Sequence, residues 1–80
     1  MRLDKFMKVS RIIKRRTVAA EAADGGRITV NGKVAKPSTT VHEGDIIEVT
    51  FGNHVGRYEV LQLLPAAGKA EAAQMVRELL

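Results

Sequence analysis

Leu3, Phe6, Met7, Ser10 and Ile13 recur at helical spacing, and Lys5, Lys8 and Arg11 fall on the opposite side of the same wheel with Asp4 among them. This pattern predicts an amphipathic helix over residues 3–14. It argues against a disordered basic tail, which has no need of periodicity. Ile12 breaks the pattern by falling on the charged side. Before residue 17 the chain holds Arg2, Lys5, Lys8, Arg11, Lys14, Arg15 and Arg16 against one acid, Asp4, for a net charge of +6. The remainder holds six bases against eight acids, a net −2. So steep an asymmetry points to an anionic partner, either nucleic acid or a membrane surface.

The residues beyond the first helix set the fold class. Thr17 is placed to N-cap a second short helix over residues 18–24, although the Glu of a capping box is replaced by Ala20. Ala19, Ala20, Ala22 and Ala23 allow close packing on the first helix, and one glycine of Gly25-Gly26 supplies a left-handed end. In "RITVNGKVAK", Ile28 and Val30 alternate with polar residues, and Asn31-Gly32 favours a tight two-residue hairpin turn. A second hairpin is expected from residues 44–51 and 55–64 around "GNH". After Pro65 and Gly68, a final helix is expected over residues 69–79, with Ala70, Ala73, Met75, Val76 and Leu79 as its apolar stripe. The expected architecture is α+β, two N-terminal helices packed on a small antiparallel sheet with a C-terminal helix, in one 80-residue domain. Aromatic residues are limited to Phe6, Phe51 and Tyr58, so aliphatic side chains and alanine must build the core. With no cysteine, no disulfide can brace it, and a reducing cytoplasm suits the chain. No signal peptide or membrane-spanning run is evident.

Catalysis finds little support. His42 and His54 stand alone in turns, without a second ligand at metal-site spacing, and read as surface histidines. Serines and threonines lack a nucleophile elbow, "HEGD" reads as a turn, and the glycines form no phosphate loop. No catalytic residue, metal or cofactor is expected. The basic constellation is the stronger signal. Arg2, Lys5, Lys8 and Arg11 project from one helical face, and Lys14, Arg15 and Arg16 sit at the helix junction. The second helix adds its positive N-terminus and the Thr17 hydroxyl. The arginines suit bidentate phosphate contacts. The bland alternative is a solvated basic face, but only Asp4–Lys8 has the favourable i,i+4 order, so self-pairing neutralises little. Membrane binding would require an apolar face that a thin core needs for itself. Among nucleic acids, the second helix is nearly bare of base-reading side chains, which disfavours major-groove readout of DNA. Shape and phosphate recognition of folded RNA fits better.

The spacing "RLDKF-x-K-x-SR-x-x-KRRT-x-A", then "GRITVNGKVAKPS", then "V-x-x-GD-x-I-x-V" resembles the S-four RNA-binding domain over about residues 1–51. The resemblance implies a module whose two helices and adjoining loop bind structured RNA. Arg2, Asp4 and Arg16 match motif positions that touch or position RNA. Gly25 departs from the polar residue that many relatives carry there. Stand-alone members of this size serve bacterial ribosome-associated quality control, and the opening segment and "KAEAAQMVREL" are similar to theirs. A heat-shock relative is also similar, which implies large-subunit recycling as an alternative, but its long basic C-terminal extension has no counterpart here. By this resemblance the chain would sit on an obstructed large ribosomal subunit, contact its rRNA and peptidyl-tRNA, and support an alanine-tailing partner factor. It would be a ribosome-associated cytoplasmic protein, monomeric when free. A rival from another class is a protein-interaction subunit whose basic helix docks on an acidic protein.

Overall fold

The helical pattern at the N-terminus forms a helix, but a shorter one than its periodicity suggests. In the computed structural model, which describes residues 1–79, α1 spans Leu3–Val9 and buries Leu3, Phe6 and Met7 completely. Ser10 ends it, and Arg11 then takes a left-handed conformation at φ 65°. The chain reverses there, so residues 10–14 are not helical. The reversal accounts for Ile12, which packs half-buried against the core instead of following the charged face.

Helix α2 spans Arg16–Asp24. Its N-cap is Arg15 and no side chain caps it, so Thr17 lies exposed within the first turn, not at the capping position. Ala19, Ala22 and Ala23 are buried, which brings α2 close against α1. The end of α2 is a Schellman motif: Arg27 N–H donates to the Ala22 carbonyl at 2.9 Å and Gly26 N–H to Ala23 at 3.0 Å. Gly26, at φ 75°, is the left-handed residue; Gly25 has φ −79°.

Among the described residues, five antiparallel strands form one sheet in the order β2-β1-β3-β4-β5. They are β1 (Ile28–Val30), β2 (Lys33–Val34), β3 (Ile46–Phe51), β4 (His54–Val60) and β5 (Val76–Leu79). Asn31 and Gly32 join β1 to β2 with φ values of 53° and 83°, the type I′ geometry their sequence favours. The Asn31 side chain also ties this hairpin to the start of β3. It donates to Asp45 Oδ1 at 3.0 Å and accepts from Ile46 N–H at 2.9 Å. Ile28, Ile47, Val49 and Val60 form the sheet's contribution to the core, under Leu3, Phe6 and Met7.

The C-terminal segment departs from expectation. Only Lys69–Ala72 is helical (α3), and after it the chain straightens into β5. Val76 pairs with Val60 and Arg77 with Glu59. Without β5, strand β4 would present an unpaired backbone edge to solvent, and closing that edge outweighs the helix propensity of the alanines. Met75, fully buried at the joint, anchors the turn.

Candidate nucleic-acid interface

The N-terminus is held before α1 begins. Leu3 N–H donates to the Thr39 carbonyl at 2.8 Å, Asp4 N–H to Pro37 at 3.1 Å, and Val41 N–H to Met1 at 2.8 Å. This docking sets Arg2 at the mouth of α1, opposite the start of α2. Asp4 lies between them and is only 6% exposed. Its carboxylate accepts from Arg2 Nε at 3.2 Å, Arg2 Nη2 at 3.3 Å and the Lys5 amide at 2.8 Å. Arg16 Nη2 reaches the same carboxylate at 3.3 Å. Burial pushes the Asp4 carboxyl upward, but the two arginines and the Lys5 amide outweigh it and hold it below its ordinary 3.8.

Asp4 is therefore not the i,i+4 partner of Lys8 that spacing alone allows. It is a clamp that orients Arg2 and Arg16, whose side chains remain 54% and 47% exposed. Each guanidinium carries five N–H donors, so the clamp leaves donors available to an incoming anion. Two cations with one carboxylate also leave the corner net positive.

The other five expected cations behave differently. Lys5, Lys8, Arg11, Lys14 and Arg15 make no ion pair among the described residues. Lys5 is half-buried and the rest are exposed, as is Thr17. Because α1 stops at Val9, Arg11 and Lys14 come from the reversal beyond it. Together with Lys8 they border a groove of about 500 Å³ whose wall also includes Pro65, Ala66 and Ala67. That wall escaped sequence reasoning because three uncharged linker residues carry no signal of their own. A second groove of about 460 Å³, lined largely by apolar side chains such as Ile12, Val18 and Phe51, includes the charged Arg27 in its lining.

Elsewhere the surface is mixed. Glu48 pairs with Arg57 at 3.4 Å and Glu59 with Arg77 at 2.7 Å across the sheet. His42 and His54 are exposed, and His42 Nδ1 lies 3.8 Å from Asp45. Among the described residues no group of three His, Cys, Asp or Glu side chains is disposed to hold a metal, and no helix is long and apolar enough to cross a membrane. The chemistry this geometry offers is anion binding at the α1–α2 end.

The family model of the S4 domain matches residues 1–47. The chain is 55% identical over 75 residues to the RQC P-site tRNA stabilizing factor (RqcP) of Streptococcus pneumoniae, covering 94% of this chain and 85% of that protein. It is 53% identical to the factor of the same name from Bacillus subtilis, covering 94% and 87%. Among solved structures, the trimeric structure of Vibrio cholerae heat shock protein 15 superimposes with a TM-score of 0.90 at 32% identity, covering 99% of this chain and 81% of that one.

Proposed function

The chain belongs to the S4 domain family, and from that premise we propose that it is a non-enzymatic RNA-binding protein of ribosome-associated quality control. In this reading the α1–α2 end grips obstructed large ribosomal subunits through the phosphates of rRNA and peptidyl-tRNA. Arg2, Lys5, Lys8, Arg11, Lys14, Arg15 and Arg16 supply the charge, Asp4 positions the two clamped arginines, and Thr17 offers a hydroxyl. The observation that carries the reading is the segregation of charge: five cations without a carboxylate partner among the described residues, beside a corner where two arginines share one buried Asp4. Clustered like charges raise the free energy of a free domain, and a polyanion offsets that cost. The name of the Streptococcus and Bacillus relatives supports tRNA in the P site as one ligand. Support for the alanine tailing of stalled chains, by a separate tailing factor, belongs to the same pathway. The free chain is monomeric in this reading and cytoplasmic when at work.

Co-sedimentation of a tagged copy with large subunits tests the proposal. Association abolished by ribonuclease supports RNA recognition, whereas association that survives digestion favours docking on an acidic protein. Arg16→Ala should weaken co-sedimentation without unfolding the chain, and unchanged binding would remove Arg16 from the interface. A second reading, the heat-shock-type large-subunit recycling that the sequence resemblance implies, has the likeness in fold to heat shock protein 15 on its side. Loss of alanine tails in cells lacking the protein separates the two.

A further inference from the structure

We propose that the groove between the end of α1 and the 65–67 segment is a nucleotide subsite, which takes one unpaired residue of the bound RNA. The inference rests on the RNA-binding reading above and gives it a defined element of shape recognition. At about 500 Å³ the groove falls within the size range of pockets that enclose small organic ligands, ample for one nucleotide. Its lining combines the two chemistries of a nucleotide. Lys8, Arg11 and Lys14 are exposed and make no ion pair among the described residues. Pro65, Ala66, Ala67 and the half-buried Val9 supply the apolar part of the lining. A phosphate suits the cations and the flat face of a base suits the apolar residues.

Two further features support this assignment. Arg11 holds φ 65°, a conformation that glycine adopts freely and a long side chain does not. Such strain recurs where a side chain must be aimed, and here the reversal sets Arg11 among the residues that line the groove. The wall also lacks aromatic rings and hydrogen-bonding side chains, so it would accept a base without reading its identity. A base stacked within a duplex cannot enter, because its faces are already covered by its neighbours. The subsite therefore selects a bulged or looped-out nucleotide over a paired one, as RNA recognition commonly does.

A labelled RNA hairpin carrying one bulged uridine, compared with its fully paired counterpart, tests the assignment by fluorescence anisotropy on the full chain. The wild type should favour the bulged hairpin by roughly five- to tenfold, the gain from removing some tens of Å² of apolar base and wall surface from water. Ala66→Leu crowds the groove from an exposed position with a side chain that offers no stacking face and should erase that preference, with a thermal melt confirming the fold. Arg16→Ala should weaken both hairpins alike. Equal wild-type affinity for the two hairpins, or a preference that survives Ala66→Leu, overturns the subsite and leaves the RNA reading intact. Failure of the wild type to bind either hairpin or large subunits overturns both. If an acidic polyglutamate peptide displaces the bulged hairpin more readily than the paired RNA does, the groove is a protein site and the assignment falls. Photo-crosslinking with 4-thiouridine at the bulge provides an independent readout. Adducts within residues 8–14 or 65–67 support the subsite, and adducts confined to other segments refute it.

Discussion

Asp4→Asn separates two explanations of the basic corner that wild-type binding cannot. Asparagine preserves the shape of the side chain and can still accept the Lys5 amide, which donates to Asp4 Oδ1 at 2.8 Å. What it loses is the charge shared by Arg2 and Arg16. Removing one partner of a fully buried ion pair costs about 3–5 kcal/mol, because the other charge is stranded. Here both arginines are about half exposed and can return to water. A freely exposed pair contributes only about 0–1 kcal/mol. The buried carboxylate places this site between the limits, at about 1–2 kcal/mol of stability. For a domain of this size that is a fall in Tm of roughly 5–15 °C.

Stability and binding should move together in this variant, against the simple electrostatic expectation. The substitution raises the net positive charge by one. If the corner were only a store of charge, affinity for RNA would rise. If Asp4 aims the arginines, both must be immobilised anew on binding, at about 0.5–1.5 kcal/mol each. The extra charge offsets only part of this, so affinity should fall by roughly fivefold or more. Acid provides an internal control. The Asp4 carboxyl sits below 3.8 in the folded state, so its contribution is fully present above pH 3.8 and is lost as pH falls through the lower folded value. Thermal melts of wild type and Asp4→Asn should differ fully above pH 3.8 and converge in stronger acid. Tighter RNA binding by Asp4→Asn, or a stability gap that persists unchanged in acid, would refute the clamp.

Other substitutions test the scaffold. Phe6, fully buried in the core, should cost about 3–5 kcal/mol on replacement by alanine, enough to unfold much of a small domain at physiological temperature; circular dichroism would show it. Gly32→Ala meets no steric obstacle, yet φ 83° alone should cost about 1 kcal/mol, read as a fall in Tm with RNA binding retained.

The parts of the fold written in local chemistry were legible. Asn31-Gly32 specified its own turn, and Gly26 closed α2 through a motif that depends on a left-handed residue. The failures share one cause, which is tertiary contact overriding local preference. Residues 69–79 carry a genuine helical stripe, but the open edge of β4 draws residues 76–79 into the sheet. Residues 3–14 carry another, and no glycine or proline marks the stop at Val9, because an arginine takes the left-handed position. In the interface, clustering identified the cations but not how they divide. By charge pattern Asp4 read as one acid among many bases, and the family resemblance grouped it with Arg2 and Arg16, but its burial between them needs the docking of residues 37–41 on the N-terminus. The 65–67 wall is brought to the groove by the path of the whole chain, which no local pattern encodes.

The salt dependence of large-subunit binding tests the central claim most directly. If four or five of the N-terminal cations neutralise RNA phosphates, log affinity should fall with log salt at a slope of roughly −3 to −4. A slope near zero would mean that these side chains do not meet a polyanion, and would contradict the account.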